Sequence, residues 1–317
     1  MPRKRFPLVG SLTNRTVGGS NSIDESKDQN FINCFPQVTK NAVSGEVSVR
    51  LVKRLGYGVE TTPTTGSYVM NYGNVIWSGG TNTQLFSTGD AALGIVKVFD
   101  SAGGQVGGNI TPNATFCLSL SETLITNVAN VVALVARSGG PIVDAWYYPT
   151  GGAWTRITDA DFPSNLGTPL NIIGDAVHKD GYMFVMDQYG KIWNSDINSL
   201  ANWTSTSFVD AQDSPDGGSG LALYNNMVVA FGTKSIQFFQ NVGNAVGSPL
   251  QKVPRTINIG VAAGLQQYLT VGDTVYFLGT SPGDAARHVY RLNGMNAEKI
   301  STSAIDDYLS ANATTPY

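Results

Sequence analysis

The chain has 317 residues, a formal net charge of −3 and only 14% charged residues, well below the roughly 25% of an ordinary soluble domain. So few charges insulate a monomer poorly, and much of the surface is expected to be covered by neighbouring subunits. No stretch reaches the ~18 apolar residues of a membrane span, and Met1–Arg5 carries no apolar leader core, so synthesis in the cytosol without membrane insertion is expected.

Residues 1–60 read as an N-terminal arm. Within residues 1–54, nine basic residues (Arg3, Lys4, Arg5, Arg15, Lys27, Lys40, Arg50, Lys53 and Arg54) face Asp24, Glu25, Asp28 and Glu46, a net of +5 that leaves −8 for the rest. A basic, turn-rich segment ahead of an acidic body suits an acidic partner surface, protein or nucleic acid, or else is a solvated tail. Residues 61–317 read as a β body. Weak strands lie at Val75–Trp77 with Leu85–Phe86, and at Ile95–Phe99. The first clear hairpin joins Val131–Ala136 to Ile142–Tyr148. A second runs from Tyr182–Met186 through the turn Asp187–Gly190 into Lys191–Trp193. A third runs from Met227–Phe231 through Gly232–Lys234 into Ser235–Phe239. The fourth joins Thr274–Leu278 to Arg287–Leu292 across a longer loop, Gly279–Ala286. A short helix is predicted at Ala304–Ser310, capped by Thr302 or Ser303.

Apolar runs this short, bounded by Gly, Asp and Asn, make antiparallel hairpins rather than helices. The centres of the first strands, Leu134, Phe184, Val228 and Val275, recur at the roughly 40 to 50 residues of a four-stranded propeller blade. The fold class is therefore all-β: a β-propeller of four-stranded blades with an extended N-terminal arm. A propeller ties its last blade to its first, and Val47–Val52 is the best closing strand.

Catalytic chemistry is sparse in the sequence. His178 and His288 are the two histidines, each in or beside a strand, and no GxSxG, GxxxxGK[ST], HExxH or CxxC motif occurs. Cys34 and Cys117 read as buried apolar thiols. Gly217–Gly220 lacks the lysine and helix of a phosphate loop and reads as a structural turn. Asp159 with Asp161, and Asp210, Asp213 and Asp216, offer carboxylates for acid–base work or calcium, but Asp is also the ordinary turn former. Asp187-Gln-Tyr-Gly190 resembles the Asp-box of sialidases, with its Asp-to-Gly spacing one residue too long. Arg137, Arg156, Arg255, Arg287 and Arg291 are too scattered in sequence to suggest a carboxylate-binding cluster. No catalytic, cofactor-binding or metal-binding residue is named, no cofactor is expected, and the chain does not read as an enzyme.

A resemblance rests on an ordered set of residues: Asp187-x-x-Gly190-x-x-Trp193-x-Ser195-Asp196, then Asn202-Trp203, Ser214-Pro215-Asp216, and Leu223 to Gly232 with Ser235–Phe239. It continues through Gly243, Pro249, Ile259-Gly260, Thr274–Gly279, His288–Tyr290, Lys299–Thr302 and Ala304-Ile305, with Asn30–Pro36 and Lys53–Gly58 near the start. This set resembles the packaged DNA stabilisation proteins of short-tailed bacteriophages, the tail hub or nozzle proteins, most densely from Gly181 to Ile305. The resemblance implies a structural virion protein of the tail, assembled in the host cytoplasm. Such proteins form a ring, typically a homohexamer, below the portal and its adaptor. The ring retains packaged DNA, forms the ejection channel and passes DNA without sequence-specific binding. Its implied partners are the adaptor or head-to-tail connector, tail fibres or tailspikes, and a tail needle or plug.

An acidic body of −8 lining the channel would let phosphates slide, and the basic arm would suit the adaptor. Family members continue past the Ile-Ser-Thr segment, so a fragment or a shortened version is expected. The competing reading is a glycan-binding or glycan-cleaving propeller. That reading requires paired carboxylates and exposed Trp77, Trp146 or Trp203; the alternative place for those rings is the blade core.

Overall fold

The structure is a computed structural model that describes residues 34–40, 47–53, 69–76, 84–90, 94–100, 102–111, 114–137, 142–211, 216–244, 246–261, 267–281 and 286–311. A hairpin of β1 (Cys34–Lys40) and β2 (Val47–Lys53) precedes five antiparallel sheets. Blade 1 holds β3 (Val69–Ile76), β4 (Gln84–Asp90), β5 (Ile95–Asp100) and β6 (Gln105–Ile110). Blade 2 holds β7 (Ala114–Ile125), β8 (Val128–Arg137), β9 (Val143–Pro149) and β10 (Thr155–Arg156). Blade 3 holds β11 (Ile172–Lys179), β12 (Tyr182–Asp187), β13 (Lys191–Ser195) and β14 (Trp203–Asp210). Blade 4 holds β15 (Gly218–Tyr224), β16 (Met227–Gly232), β17 (Ile236–Asn241) and β18 (Leu250–Ile257). In blade 5, β19 (Gly260–Val261) and β20 (Tyr268–Val271) share the first-strand place beside β21 (Thr274–Thr280), followed by β22 (His288–Asn293) and β23 (Asn296–Lys299). The chain is all-β with four-stranded blades, as its repeat predicts; the arm's residues 1–33 lie outside the described set.

Why the middle strands are continuously apolar follows from the packing. Successive side chains point to opposite faces of a sheet, and blades 2, 3 and 4 are each sandwiched between two others. On β12, Met183 and Val185 pack with Val132 and Leu134 of blade 2. Their neighbours Phe184 and Met186 pack with Leu221 and Val228 of blade 4. On β16 the pattern repeats, Val228 and Ala230 facing blade 3 while Val229 and Phe231 meet Val275 and Phe277 of blade 5. Leu85, Val96 and Val98 join Val131, Ala133 and Val135 in the layer between blades 1 and 2, so the weak strands of the sequence are parts of a full blade.

Three expectations are corrected. Val47–Val52 pairs with β1 over seven residues, Cys34 opposite Lys53 to Lys40 opposite Val47, and joins no blade among the described residues. A local hairpin closes a far shorter loop than a pairing with the last blade, at lower entropic cost. Gly218 to Gly220 is not a turn but the start of β15, bulged between Gly218 and Gly220. Gly279 belongs to strand β21, where it opposes His288 and Val261.

The helix α1 (Ser303–Ala311) forms where predicted and rests against β22. Its Asp306 side chain lies 2.6 Å from Lys299 Nζ and 3.0 Å from His288 Nδ1. Burial opposes ionisation of Asp306, yet Lys299, Ser301 and His288 outweigh it and hold the carboxyl below its usual value.

Candidate functional site

The first strands of the blades converge on an axis, and there the sequence places small or polar residues. Gly174 of β11 and Gly220 of β15 have φ of +65° and +152°, conformations that glycine alone adopts freely. A β-carbon on either would collide with the other strand or with the Tyr268 hydroxyl. Tyr268, on β20, is 7% exposed. Its ring stacks on Phe231 with centroids 4.9 Å apart, and its hydroxyl accepts the Asp175 N–H at 2.8 Å. Blade 5 therefore reaches across to blade 3, and the tyrosine fills the space between the inner strands of blades 3 and 4.

A belt of polar groups surrounds this plug. Burial raises the Asp175 carboxyl above its usual value, with hydrogen bonds from Ser119 and Tyr268 opposing the shift. Burial likewise raises Tyr268 well above an ordinary phenol, and the neighbouring Asp175 charge adds to it. Cys117 Sγ donates to the Ser119 carbonyl at 3.2 Å and also meets the Ser87 hydroxyl; burial pushes the thiol up to about 12. Such a thiol is inert near neutral pH. Ser87, Cys117 with Ser119, Asp175, Gly220 and Tyr268 come from blades 1, 2, 3, 4 and 5 in turn. Nothing in the linear sequence links them, because each is one residue in its own strand.

One turn further along the inner strands, the axis opens into a cavity of about 500 Å³ lined by His178, Lys179, Leu223, Asn226, Thr270 and Asp273, among others. The turns Asn225-Asn226 and Gly272-Asp273 line it, and they match the two-residue turns Thr126-Asn127 and Asp180-Gly181 of the preceding blades. Positive φ at Thr126, Asn127, Asp180, Asn225, Asn226 and the glycines matches the twist of tight hairpins. Lys179 Nζ donates to Asn226 Oδ1 at 2.7 Å and pairs with Asp180 at 2.9 Å. That lysine holds Asp180 below its usual value, while burial lowers His178 and keeps it neutral.

The sequence-level carboxylates prove architectural. Asp187 is fully buried and binds its own turn: Oδ1 accepts from Tyr189 N (2.8 Å) and Lys191 N (3.1 Å), and Oδ2 from Trp193 Nε1 (2.9 Å). Asp216 Oδ2 accepts from Lys234 N, Ser235 N and Ser235 Oγ. Asp159 accepts from Asp161 N and Trp203 N, tying the connection between blades 2 and 3 to β14. Asp210 ends β14, and Asp213 lies outside the described residues. Trp146 and Trp203 are 9% and 4% exposed within the interblade layers; Trp77 lies outside the described residues. His178 lines the axial cavity, and His288 sits by Asp306. Cys117 is buried, and the side chain of Cys34 is outside the described set. Arg137 and Arg156 converge on Asp144, with Arg255 bonded to the β22–β23 turn and Arg291 to Glu298.

Residues 142–315 match the family described as "Bacteriophage P22 Gp10, beta-propeller", more than half of the chain. The chain belongs to the phage P22 Gp10 β-propeller family. The P22 Gp10 family is structural, a group of phage virion proteins that stabilise DNA, and the match spans blades 3, 4 and 5 together with the last two strands of blade 2. No curated protein matches this P22 Gp10 family member. Among solved structures it is similar to the computationally designed Ika8 protein (14% identity, 83% of this chain and 81% of that one, TM-score 0.41). It is also similar to a streptogramin B lyase (12%, 74% and 84%, 0.41) and to the Cps50 (Swd1) β-propeller domain of Myceliophteria thermophila (10%, 74% and 87%, 0.38).

Proposed function

We propose that this phage DNA-stabilisation propeller is a subunit of the tail hub or nozzle, a homohexameric ring below the portal and adaptor that retains packaged DNA and lines its exit. Membership of the P22 Gp10 family carries the reading. The filled axis supports it: with Tyr268 between the inner strands of blades 3 and 4, a duplex has no route through one chain. The channel is then the space enclosed by several copies. Tail fibres or tailspikes, a needle or plug and the adaptor contact the outer surfaces of that ring. DNA passes without sequence-specific contacts.

The acidic excess has a different weight in this reading from that of a simple repulsive lining. Asp144 is tied up by arginines, and Asp159, Asp187 and Asp216 accept backbone N–H groups, so these carboxylates build turns and pairs first. Only the remaining exposed carboxylates act on passing phosphates. The role is tested by growing phage with a stop codon early in this gene: heads should fill and then lose DNA. Particles that keep a full genome and eject it normally would overturn the role.

A further inference from the structure

The Asn-Gly pair occurs once in the chain, at Asn293-Gly294. Glycine carries no side chain to shield its backbone nitrogen, so the side-chain amide of an asparagine before it is the one most open to attack by that nitrogen. Both residues are exposed and lie at the tight turn between β22 and β23, where Asn293 pairs with Asn296. Blade 4 holds this turn at two points. Gly294 N donates to the Tyr224 hydroxyl at 2.9 Å, and that hydroxyl donates to the Leu292 carbonyl at 3.3 Å. Arg255 of β18 donates to the Met295 carbonyl at 3.2 Å and to Asn296 Oδ1. The Tyr224 ring is buried in the layer between blades 4 and 5, which fixes the position of its hydroxyl. The Asn293 amide is held only weakly, its Nδ2 lying 3.5 Å from Glu298 Oε2.

We propose that Asn293 is a spontaneous modification site, kept latent by the Tyr224 hydroxyl, and that its conversion loosens the seam between blades 4 and 5. Gly294 N bonds to Asn293 Cγ, the Cγ–Nδ2 bond breaks, and Nδ2 leaves as ammonia with the proton that Gly294 N gives up. Water then opens the cyclic imide: its oxygen stays on one carbonyl carbon and a proton returns to the nitrogen. Opening at one carbonyl gives aspartate, and at the other isoaspartate, whose main chain is longer by a methylene. Closure requires Asn293 to leave the extended main chain of β22 and Gly294 N to leave Tyr224, so the folded turn resists it. Once formed, the imide has no N–H for the tyrosine. The acid product sets a new carboxylate beside Glu298, which already pairs with Arg291 at 2.9 Å, and like charges repel. Isoaspartate also displaces the turn from Tyr224 and Arg255, the two holds that blade 4 has on it. The site does not depend on ring formation.

Ageing the full-length chain at mildly alkaline pH, followed by peptide mass spectrometry, tests the proposal. Asn293 should convert ahead of Asn127, Asn198, Asn225 and Asn226, which also sit in turns but precede bulkier residues. Tyr224→Phe keeps the ring in its layer and removes the hydroxyl, so conversion of Asn293 should become several-fold faster. Arg255→Gln removes the second hold from an exposed position and should act in the same direction without touching the core. Circular dichroism verifies that both variants fold. After conversion, hydrogen exchange should quicken in β22 and β23 while β12 and β13 stay protected. Asn293→Gln, whose longer side chain closes such a ring far more slowly, should age without that change. Equal rates in the unaltered chain and both variants, faster conversion at the four reference asparagines, or exchange unchanged by conversion would each overturn the proposal.

Discussion

At the scale of single residues, buried polar groups do two different jobs in this chain. Asp187 satisfies three donors of one turn, and hydrogen bonds to a charged group contribute about 1.5–3 kcal/mol each. Asp187→Ala should therefore lower stability by at least about 2 kcal/mol, read as a shift of the urea midpoint; an unchanged midpoint would show that the turn holds without its carboxylate. Asp175 works in the opposite sense. Its folded pKa is raised by burial, so its favourable contribution is fully present below the unfolded carboxylate value, 3.8, and is lost as pH rises through the folded value. Asp175→Asn should flatten the decline of stability with rising pH while leaving the acid side little changed. A variant whose melting temperature keeps the same pH slope would contradict the buried, protonation-favouring site. The Gly220 position is equally exacting: Gly220→Ala puts a methyl group into the Tyr268 hydroxyl, and overpacking of this kind costs about 1–3 kcal/mol.

At the scale of elements, blades are joined by glycines that sit on the turns of the blade before. Gly218 lies against the Asp187 carbonyl, and Gly260 against the Thr233 carbonyl. A backbone bond accompanies the first contact, Gly218 N to Gln188 O at 3.2 Å, and within blade 4 Thr233 N donates to Gly217 O at 3.0 Å. Gly260→Ala would drive a methyl group into backbone that cannot swing aside, so it should destabilise the blade 4–blade 5 junction. Hydrogen exchange should then quicken in β19 to β23 before β11 to β14; uniform quickening would refute a local junction. Helix α1 is joined through Asp306, whose lowered value makes its contribution present above the unfolded carboxylate pKa and lost as pH falls through the folded one. Acid should release α1 first, and Asp306→Asn should do so at neutral pH.

The same elements show what was legible from sequence. The hairpins β12–β13 and β16–β17 stood out because both sheet faces are buried and the centres of their strands, Met183–Met186, Ile192–Trp193, Val228–Phe231 and Phe238–Phe239, are unbroken apolar runs. Blade 1 was faint because β3, β4 and β6 are interrupted by glycine, serine and asparagine. The axial belt was illegible for a different reason: its members are single residues drawn from five strands, and only the packing of successive blades brings them together. The carboxylates were visible as residues, but their roles were not, since Asp187 and Asp216 are defined by the backbone donors they meet.

At the scale of the whole molecule, three facts converge: membership of a phage family that stabilises packaged DNA, a chain with only 14% charged residues, and an axis filled by Tyr268. A sparsely charged surface is suited to burial against neighbours, and a filled axis moves any channel to the space between chains. Imaging the purified full-length chain by electron microscopy tests this most directly. Six-fold rings are expected, with a central hole wide enough for a DNA duplex and bounded by several propellers. A population that stays as single propellers at high concentration, or rings without a central hole, would contradict it.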